Sequence, residues 1–300
     1  MATFSQLVNE VQSNLQGYTL RQDRITNLTN SGGITATELA IKIGSADNLA
    51  KGIIQIDDEL IWINSFDRQT LTLNTIAGFG RGYMGTAASP HAENAQVTLT
   101  PTFPKVMIAQ AINDTINSLY PKLFQVASTT FSFNAAQIAY ALPDDARDVL
   151  FGSWQTPGPS KEWLPINHWR IDRMANVAAF NTNKVVNIYE KIVPGRTVQI
   201  YYSTIPTNLT NASDDFATVT GLPESSRDVV TLGAAYRLLS YIDTGRINLS
   251  SAEADLADTK LPSTAGASAS KYVFALYQQR LNEESVKLQD RFPIRLHYTK

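Results

Sequence analysis

The chain has few side chains of the kinds that catalyse reactions or bind metals. It contains no cysteine and only three histidines, His91, His168 and His297. Without cysteine there can be no disulfide, thiolate nucleophile or cysteine-ligated metal centre. The histidines fall in three different predicted elements and match no HxH or HExxH spacing. We therefore expect no metal site, and we interpret each histidine as a surface or hydrogen-bonded side chain.

Three acidic groups could suggest acid–base or metal chemistry. Asp57-Asp58-Glu59 lies between two β-branched runs, where the sequence predicts a hairpin turn. Aspartate is common in turns because its side chain bonds to nearby backbone groups. We therefore interpret this group as a solvated turn. Asp144-Asp145 is interpreted in the same way, and Asp214-Asp215 as part of a polar loop.

The glycine-rich segment 78–85 differs from phosphate-binding loops. It lacks the Gly-Lys-Ser/Thr ending of a P-loop, and no βαβ unit surrounds it. No serine lies in a GxSxG nucleophile elbow. The sequence therefore predicts a tight loop between strands, with no cofactor and no enzymatic activity.

Apolar residues recur at helical spacing in four segments. These segments are 4–17, 104–123, 229–241 and 270–290. Thr3 and Gln6 fit a capping box at the start of the first. Gly233 and Ala234 in the third are small enough to let another helix approach closely.

Short β-branched runs bounded by Gly, Asn and Asp predict strands between these helices. The predicted strands are 39–43, 52–56, 59–63, 70–73, 96–99, 131–133, 140–143, 149–154, 163–166, 185–189 and 197–202. Because each apolar helix stripe must be buried, we predict an α+β fold in which a four-helix bundle carries two inserted antiparallel β modules. The predicted bundle comprises 1–30, 103–127 and 222–290. The β modules span 35–101 and 129–206, and an extended C-terminal arm spans 291–300.

The C-terminal arm has the alternation of a strand. Phe292, Ile294, Leu296 and Tyr298 fall on one side, and the polar residues Arg291, Arg295, His297 and Thr299 on the other. Pro293 disfavours a helix at the residue before it. Such a segment either adds to the sheet edge of a partner or packs on its own domain, and both alternatives stay open.

Composition indicates a globular protein and gives no sign of a nucleic-acid-binding surface. The chain is 43% hydrophobic and 17% charged, with a net charge of -2. This is not the signature of disorder, and the basic excess typical of phosphate-binding proteins is missing. No apolar run is long enough to span a bilayer, and the N-terminus has no signal-peptide pattern. We expect a protein of the reducing cytoplasm without membrane contact.

One local pattern resembles the β modules of bacteriophage virion proteins. It consists of the strand 57–63, the segment 81–91 and the later Val97. The resemblance implies a structural turn motif in which Arg81 tethers a turn and His91 closes it by hydrogen bonds. The remaining members of this motif are Gly82, Gly85 and Thr86. Asn94-Ala95 stands where the pattern usually has a glycine.

The rest of the chain is similar to podovirus-like neck proteins. The Tyr-x-Leu-Pro opening at 140–143 and the strand after Pro194-Gly195 resemble tail-tube and adaptor proteins, and the helical frame with its arm resembles head-to-tail adaptors. The resemblance implies a virion ring of twelve copies between the portal and the next tail component (nozzle, stopper or tail tube), with DNA passing through the lumen without specific binding. It places the portal contact on Arg291, Phe292, Ile294, Arg295, Leu296, His297 and Tyr298.

Two alternatives remain. The chain could be another phage tail protein, such as a nozzle, tail-tube, baseplate or fibre-attachment component, for which the β modules are equally suitable. From a different class, it could be a carbohydrate-binding module or hydrolase. In that case the tryptophans would stack on sugars, although aromatic side chains are also common in cores and interfaces. They are Trp62, Trp154, Trp163 and Trp169.

Overall fold

The computed structural model describes residues 2–18, 23–45, 51–159, 161–247 and 265–292, within which helices and antiparallel sheets alternate along the chain. The α-helices are α1 (Phe4–Tyr18), α2 (Lys105–Ser118), α3 (Phe216–Thr220), α4 (Arg227–Ile247) and α5 (Ala265–Arg291). The predicted α+β class is confirmed. None of the helices in the described ranges is long and apolar enough to cross a membrane.

Thirteen strands are present in the described residues. They are β1 (Arg24–Asn27), β2 (Ala40–Lys42), β3 (Gly52–Ile56), β4 (Glu59–Asp67), β5 (Thr72–Thr75), β6 (Gln96–Leu99), β7 (Gln125–Ser132), β8 (Ala139–Ala141), β9 (Asp148–Gln155), β10 (Trp163–Ile166), β11 (Trp169–Asp172), β12 (Val185–Ile188) and β13 (Thr197–Thr204). Strands β1 and β11 and helix α3 were not predicted.

The first helix begins as its sequence predicts. The Thr3 backbone N–H donates to Oε1 of Gln6 at 3.0 Å, and the Gln6 N–H donates to Oγ1 of Thr3 at 3.3 Å. This reciprocal pair is the capping box, and it satisfies two backbone donors that the first helical turn leaves free. The stripe of Leu7, Val11 and Leu15 is fully buried.

The first sheet closes on itself. Its strand order is β1-β6-β3-β4-β5-β2. Leu28 and Ile43, just beyond β1 and β2, form an antiparallel bridge that joins the two edges. Thr29 N–H donates to the Lys42 carbonyl at 2.9 Å, and Gly44 N–H to the Asn27 carbonyl at 3.0 Å. The six strands therefore form a small barrel without free edges.

Branched aliphatic side chains fill this barrel. Its buried residues are Leu28, Ile34, Ile41, Ile43, Ile54, Ile56, Ile61, Ile63, Leu73, Val97 and Leu99. The predicted turn at Asp57-Asp58 is confirmed, since Ile56 pairs with Glu59 across it. Asp57 takes a left-handed backbone with φ of 51°.

Two further antiparallel sheets share a second core. Their strand orders are β10-β9-β13-β7 and β11-β12-β8. Both sheets contribute to one buried cluster, which includes Tyr140 of β8, Ile166 of β10, Val186 of β12 and Ile200 of β13. Sheets that face each other in this way bury one side and leave the other available.

The structure does not support a four-helix bundle. The chain divides into two compact units, one of residues 1–6, 113–233 and 273–300, the other of residues 7–112 and 234–272. Helices α1, α2, α4 and α5 each contribute residues to both units. Their apolar stripes therefore do not form the core of a separate helical domain. The predicted division into a bundle and two β modules stays a prediction.

Within the first unit, three helices meet at Gly233. A Cβ atom on Gly233 of α4 would lie 2.3 Å from Cγ2 of Thr115 in α2 and 3.0 Å from Cε2 of Tyr277 in α5. The predicted close approach of another helix at this position is confirmed. Nearby, the guanidinium of Arg280 donates to Asp228 at 2.5 Å, which fixes α5 against the start of α4.

The beginning of the predicted arm is helical. Helix α5 extends to Arg291, and the Phe292 N–H donates to the Leu288 carbonyl at 2.9 Å. The prediction that the helix stops before Arg291 is therefore wrong. Pro293 acts only on the residue before it, so the helix can continue as far as Arg291. The rest of the arm, residues 293–300, lies outside the described residues.

Candidate functional site

The segment 81–91 is fixed to the barrel by Arg81. Its Nε and one terminal nitrogen bind both carboxylate oxygens of Glu59, at 2.8 and 2.9 Å. Its other hydrogen bonds go to the backbone carbonyls of Thr35, Glu38 and Ser89, at 2.7 to 2.9 Å. A guanidinium has five N–H donors, and all five are used here. Arg81 therefore joins three chain segments at one point.

Glu59 is the anion at the centre of this network. Its side chain is fully buried, at 0% exposure. It accepts hydrogen bonds from Arg81, from the Gly82 and Ser89 backbone N–H groups and from His91. Burial alone would raise the pKa of this carboxyl, but these hydrogen bonds outweigh it and lower the pKa from 4.5 to about 2. Glu59 is therefore ionised at neutral pH.

His91 bridges two carboxylates. Its Nδ1 lies 2.8 Å from Oδ2 of Asp57, and its Nε2 lies 2.8 Å from Oε2 of Glu59. Burial lowers the pKa of His91, but the hydrogen bonds and negative charges of Glu59 and Asp57 outweigh it and raise the pKa above its ordinary value. Because both neighbours are acceptors, the geometry favours the imidazolium form, in which both ring nitrogens carry protons.

The glycines and threonine of the motif shape the loop between Arg81 and His91. Gly82 has φ of 62°, and a Cβ atom there would lie 2.7 Å from the Thr86 carbonyl oxygen. Gly85 also has a positive φ, of 80°. The Thr86 hydroxyl donates to the Tyr83 carbonyl at 2.9 Å and accepts from the Leu60 N–H at 3.1 Å. These backbone angles and hydrogen bonds set the course of the loop from Arg81 to His91.

Glu59 does not lie in a solvated turn. We expected it in a solvated turn, but only Asp57 and Asp58 are exposed there. Glu59 has the strand parity of Ile61 and Ile63, which lie in the barrel core. A carboxylate beginning an apolar strand, with an arginine and a histidine in the loop after the next strand, was the signal that could have identified the cluster.

The cluster is a set of buried ion pairs that stabilises the fold. Two cations, Arg81 and His91, face two anions, Glu59 and Asp57, so the formal charges cancel. Glu59 has no access to solvent, and among the described residues no group of three or more His, Asp or Glu side chains could hold a metal ion. The arrangement binds the loop to the barrel and offers no open position for a substrate.

A second candidate site is a groove on the outer face of the sheet β10-β9-β13-β7. It is a half-open cavity of about 530 Å³. Phe151 of β9 and Tyr201 of β13 stack in it with ring centroids 4.3 Å apart. Trp163 of β10 lines its rim and is 44% exposed. An exposed aromatic surface of this kind is typical of an interaction site.

The groove is also lined by the end of helix α5. Arg291 and Phe292 contribute to its wall and to that of a neighbouring cavity of about 400 Å³ beside Glu284 and Lys287. These two residues belong to the predicted portal-binding set. The other members, Ile294, Arg295, Leu296, His297 and Tyr298, lie outside the described residues.

The tryptophans do not form one platform. Trp169 is buried in the core shared by the second and third sheets, and Trp154 packs against the same core. Trp62 lies against Tyr83 in the barrel unit, with ring centroids 5.4 Å apart. Trp163 and Trp169 both line the groove, whereas Trp62 and Trp154 do not.

Comparison with known proteins gives one family. A family model described as SU10 adaptor protein matches residues 81–293 of the 300-residue chain. The match begins at Arg81 and includes the 81–91 loop, the second and third sheets and the groove. A comparison with curated proteins finds no match.

Proposed function

This chain belongs to the SU10 adaptor protein family, and we propose that it is the head-to-tail adaptor that joins a bacteriophage portal to the tail. The family makes it a phage structural adaptor and a component of the virion. The single observation that carries the proposal is the family match, which covers more than two thirds of the chain.

In this proposal, twelve copies form a non-enzymatic ring that continues the DNA channel below the portal. Homo-oligomeric rings are built from head-to-tail interfaces that close by rotation. The net charge of -2 supports a lumen through which DNA passes without specific binding, because proteins that hold DNA by its phosphates carry a basic excess. The next tail component, a nozzle, stopper or tail tube, would bind below the ring.

The portal contact is proposed for the C-terminal arm. Helix α5 delivers the chain to the surface at Arg291, which is exposed. From Lys287 to Lys300 there are four lysines and arginines and one acidic residue, Asp290. A basic segment with alternating apolar residues can add to a sheet edge of the portal or lie in an acidic groove on it.

Cryo-electron microscopy of purified virions tests this function. We expect a ring of this chain directly below the portal, with its C-terminus in contact with portal subunits. Density further down the tail, or in a ring of six or three copies, would instead favour a nozzle, tail-tube or baseplate role. If the chain were missing from the virion, the structural role itself would be wrong.

The carbohydrate-binding alternative has little support from the geometry. Trp154 packs against the sheet core, Trp169 lines the groove but is only 7% exposed, and the better exposed Trp62 and Trp163 lie in different units. Glycan binding by the purified chain would reopen that alternative.

A further inference from the structure

Strand β7 is an open sheet edge that lacks the usual protection. It pairs with β13 along all eight residues, Gln125–Ser132, without a bulge. Within the described residues, no strand pairs with its other side. Its sequence contains no charged residue and no proline. Natural sheet edges usually are short, carry charges or prolines, or contain bulges, because an open edge recruits other chains.

The other sheet edges in the described residues are protected. β10 has four residues and contains Pro165, and β11 has four residues and carries Arg170 and Asp172. β8 has only three residues. In the barrel, the chain beyond β1 bridges to the chain beyond β2, so those two edges close on each other. Among the strands of the described ranges, β7 is therefore the one edge that is both long and unprotected.

The pairing with β13 determines which backbone groups β7 presents outwards. Phe133, directly after β7, donates its N–H to the Arg196 carbonyl at 2.8 Å, so its N–H points towards the β13 side. Hydrogen bonding alternates from residue to residue along an antiparallel strand. Every second residue of β7 therefore points its N–H and C=O away from β13. These outward residues are Val126, Ser128, Thr130 and Ser132.

One antiparallel register allows two copies of β7 to pair all of these outward groups. In this register Thr129 lies opposite Thr129 of the second copy, on a two-fold axis. Ser128 then faces Thr130 of the second copy, and Val126 faces Ser132 of the second copy. Each copy donates four N–H groups, which gives eight hydrogen bonds in all. Moving the axis to Ser128 or Thr130 leaves an outward residue at the strand end without a partner.

The side chains also match in this register. Phe131 lies opposite Ala127 of the second copy, so a large ring meets a small side chain on each side of the axis. Both residues pack against the core of their own copy, and the Phe131 ring is stacked on Tyr140 with centroids 4.3 Å apart. On the other face the exposed hydroxyls of Ser128 and Thr130 meet. No charges oppose each other across the pair, and like charges directly opposite would destabilise it.

We infer that β7 is a dimerisation surface, at which two free copies of this chain pair antiparallel about a two-fold axis at Thr129. Main-chain hydrogen bonds along a sheet edge are the usual source of affinity in such strand addition. A two-fold contact uses the same surface on both copies, whereas a closed ring joins two different surfaces. The inference therefore concerns free copies and does not rest on the ring proposed above.

Single-cysteine variants of the full-length chain test the inference, since the sequence has no cysteine of its own. In Thr129→Cys the two Cα atoms should lie about 4.5 Å apart, within the range of a disulfide. Ser132→Cys is the matched control, because Ser132 is the more exposed residue but should lie about 20 Å from its counterpart. We expect mild oxidation to form covalent dimers of Thr129→Cys at least about tenfold faster than of Ser132→Cys. Equal rates would overturn the inference.

Sedimentation velocity over a range of protein concentrations gives a second test. The Thr130 N–H points outwards, so Thr130→Pro removes no hydrogen bond to β13 but removes one from each copy at the dimer contact. We expect the unmodified chain and the control Thr130→Ala to dimerise alike. Thr130→Pro should raise the dimer Kd at least about tenfold, with an unchanged circular dichroism spectrum. A monomer at every concentration, or a dimer that Thr130→Pro leaves unchanged, would overturn the inference.

Discussion

His91 and Glu59 form a hydrogen bond of 2.8 Å between Nε2 and Oε2, and the two side chains are 1% and 0% exposed. Residues 32 positions apart are thereby joined at the end of a closed barrel.

Replacing Glu59 should destabilise the protein strongly. Glu59→Gln leaves Arg81 and His91 buried without their shared anion, and removing one partner of a buried ion pair costs about 3–5 kcal/mol. Urea denaturation followed by circular dichroism measures this change in the free energy of unfolding. Asp58→Asn is the matched control, because the exposed pair of Asp58 with Lys105 contributes about 1 kcal/mol or less. A decrease of less than about 1 kcal/mol in the free energy of unfolding of Glu59→Gln would contradict a stabilising role for its buried ion pairs.

The stability of the barrel should depend on pH through His91. The pKa of His91 is raised in the folded state, so its contribution is complete below the unfolded pKa of about 6.5 and is lost as pH rises through the folded value. Denaturation at a series of pH values should show this decline on the alkaline side. His91→Gln should remove it, whereas exposed His168→Gln should retain it. If stability still declined on the alkaline side in His91→Gln, a group other than His91 would cause the decline.

Protonation of Glu59 should lower the stability of the protein at acid pH. Its folded pKa is about 2, against an ordinary value of 4.5, so its contribution is present above about 4.5 and is lost as pH falls towards 2. The free energy of unfolding should therefore decrease over that acid range. In Glu59→Gln the acid decrease should be smaller, and an unchanged acid profile would contradict the assigned pKa.

Helix packing at Gly233 should be intolerant of a methyl group. Gly233→Ala places a Cβ atom 2.3 Å from Cγ2 of Thr115, and overpacking of this kind typically costs about 1–3 kcal/mol. Thermal unfolding should show the loss, although alanine has the better helix propensity. Thr115→Ser removes the methyl that clashes, so the double variant should recover part of the loss. Gly17→Ala is the control, since nothing lies within 4 Å of its Cβ position, and it should be neutral or stabilising.

Deleting residues 293–300 should leave the protein folded but prevent it from binding the portal. All residues of the two described cores precede this segment, so the melting temperature should fall by no more than about 4 °C, the effect of roughly 1 kcal/mol or less. Co-sedimentation with the cognate portal should be lost. Deleting 287–300 instead removes buried Leu288, and this variant should be clearly less stable. Normal portal binding by the shorter deletion would contradict a portal contact through the arm.

Local sequence patterns predicted those elements that depend only on residues close together in the sequence. The capping box at Thr3, the turn at Asp57-Asp58 and the runs that became β3, β6 and β13 depend on residues within a few positions of each other. Strand β1 was missed because Arg24–Asn27 has little apolar alternation, and Ile25 is 60% exposed. It is a strand because β6 pairs with it and because its end closes the barrel against residues 42–44.

The sequence by itself determined the α+β class, most strand positions and the small residue at the helix crossing. A family resemblance supplied the expectation that Arg81 and His91 act in a turn. Only the tertiary structure decided that Glu59 is the buried partner of both, that the first sheet closes, and that the long helices are shared between two units. The physical reason is that burial and charge pairing depend on contacts between residues distant in sequence. A carboxylate in a strand is solvated or buried according to which side chains the fold brings against it.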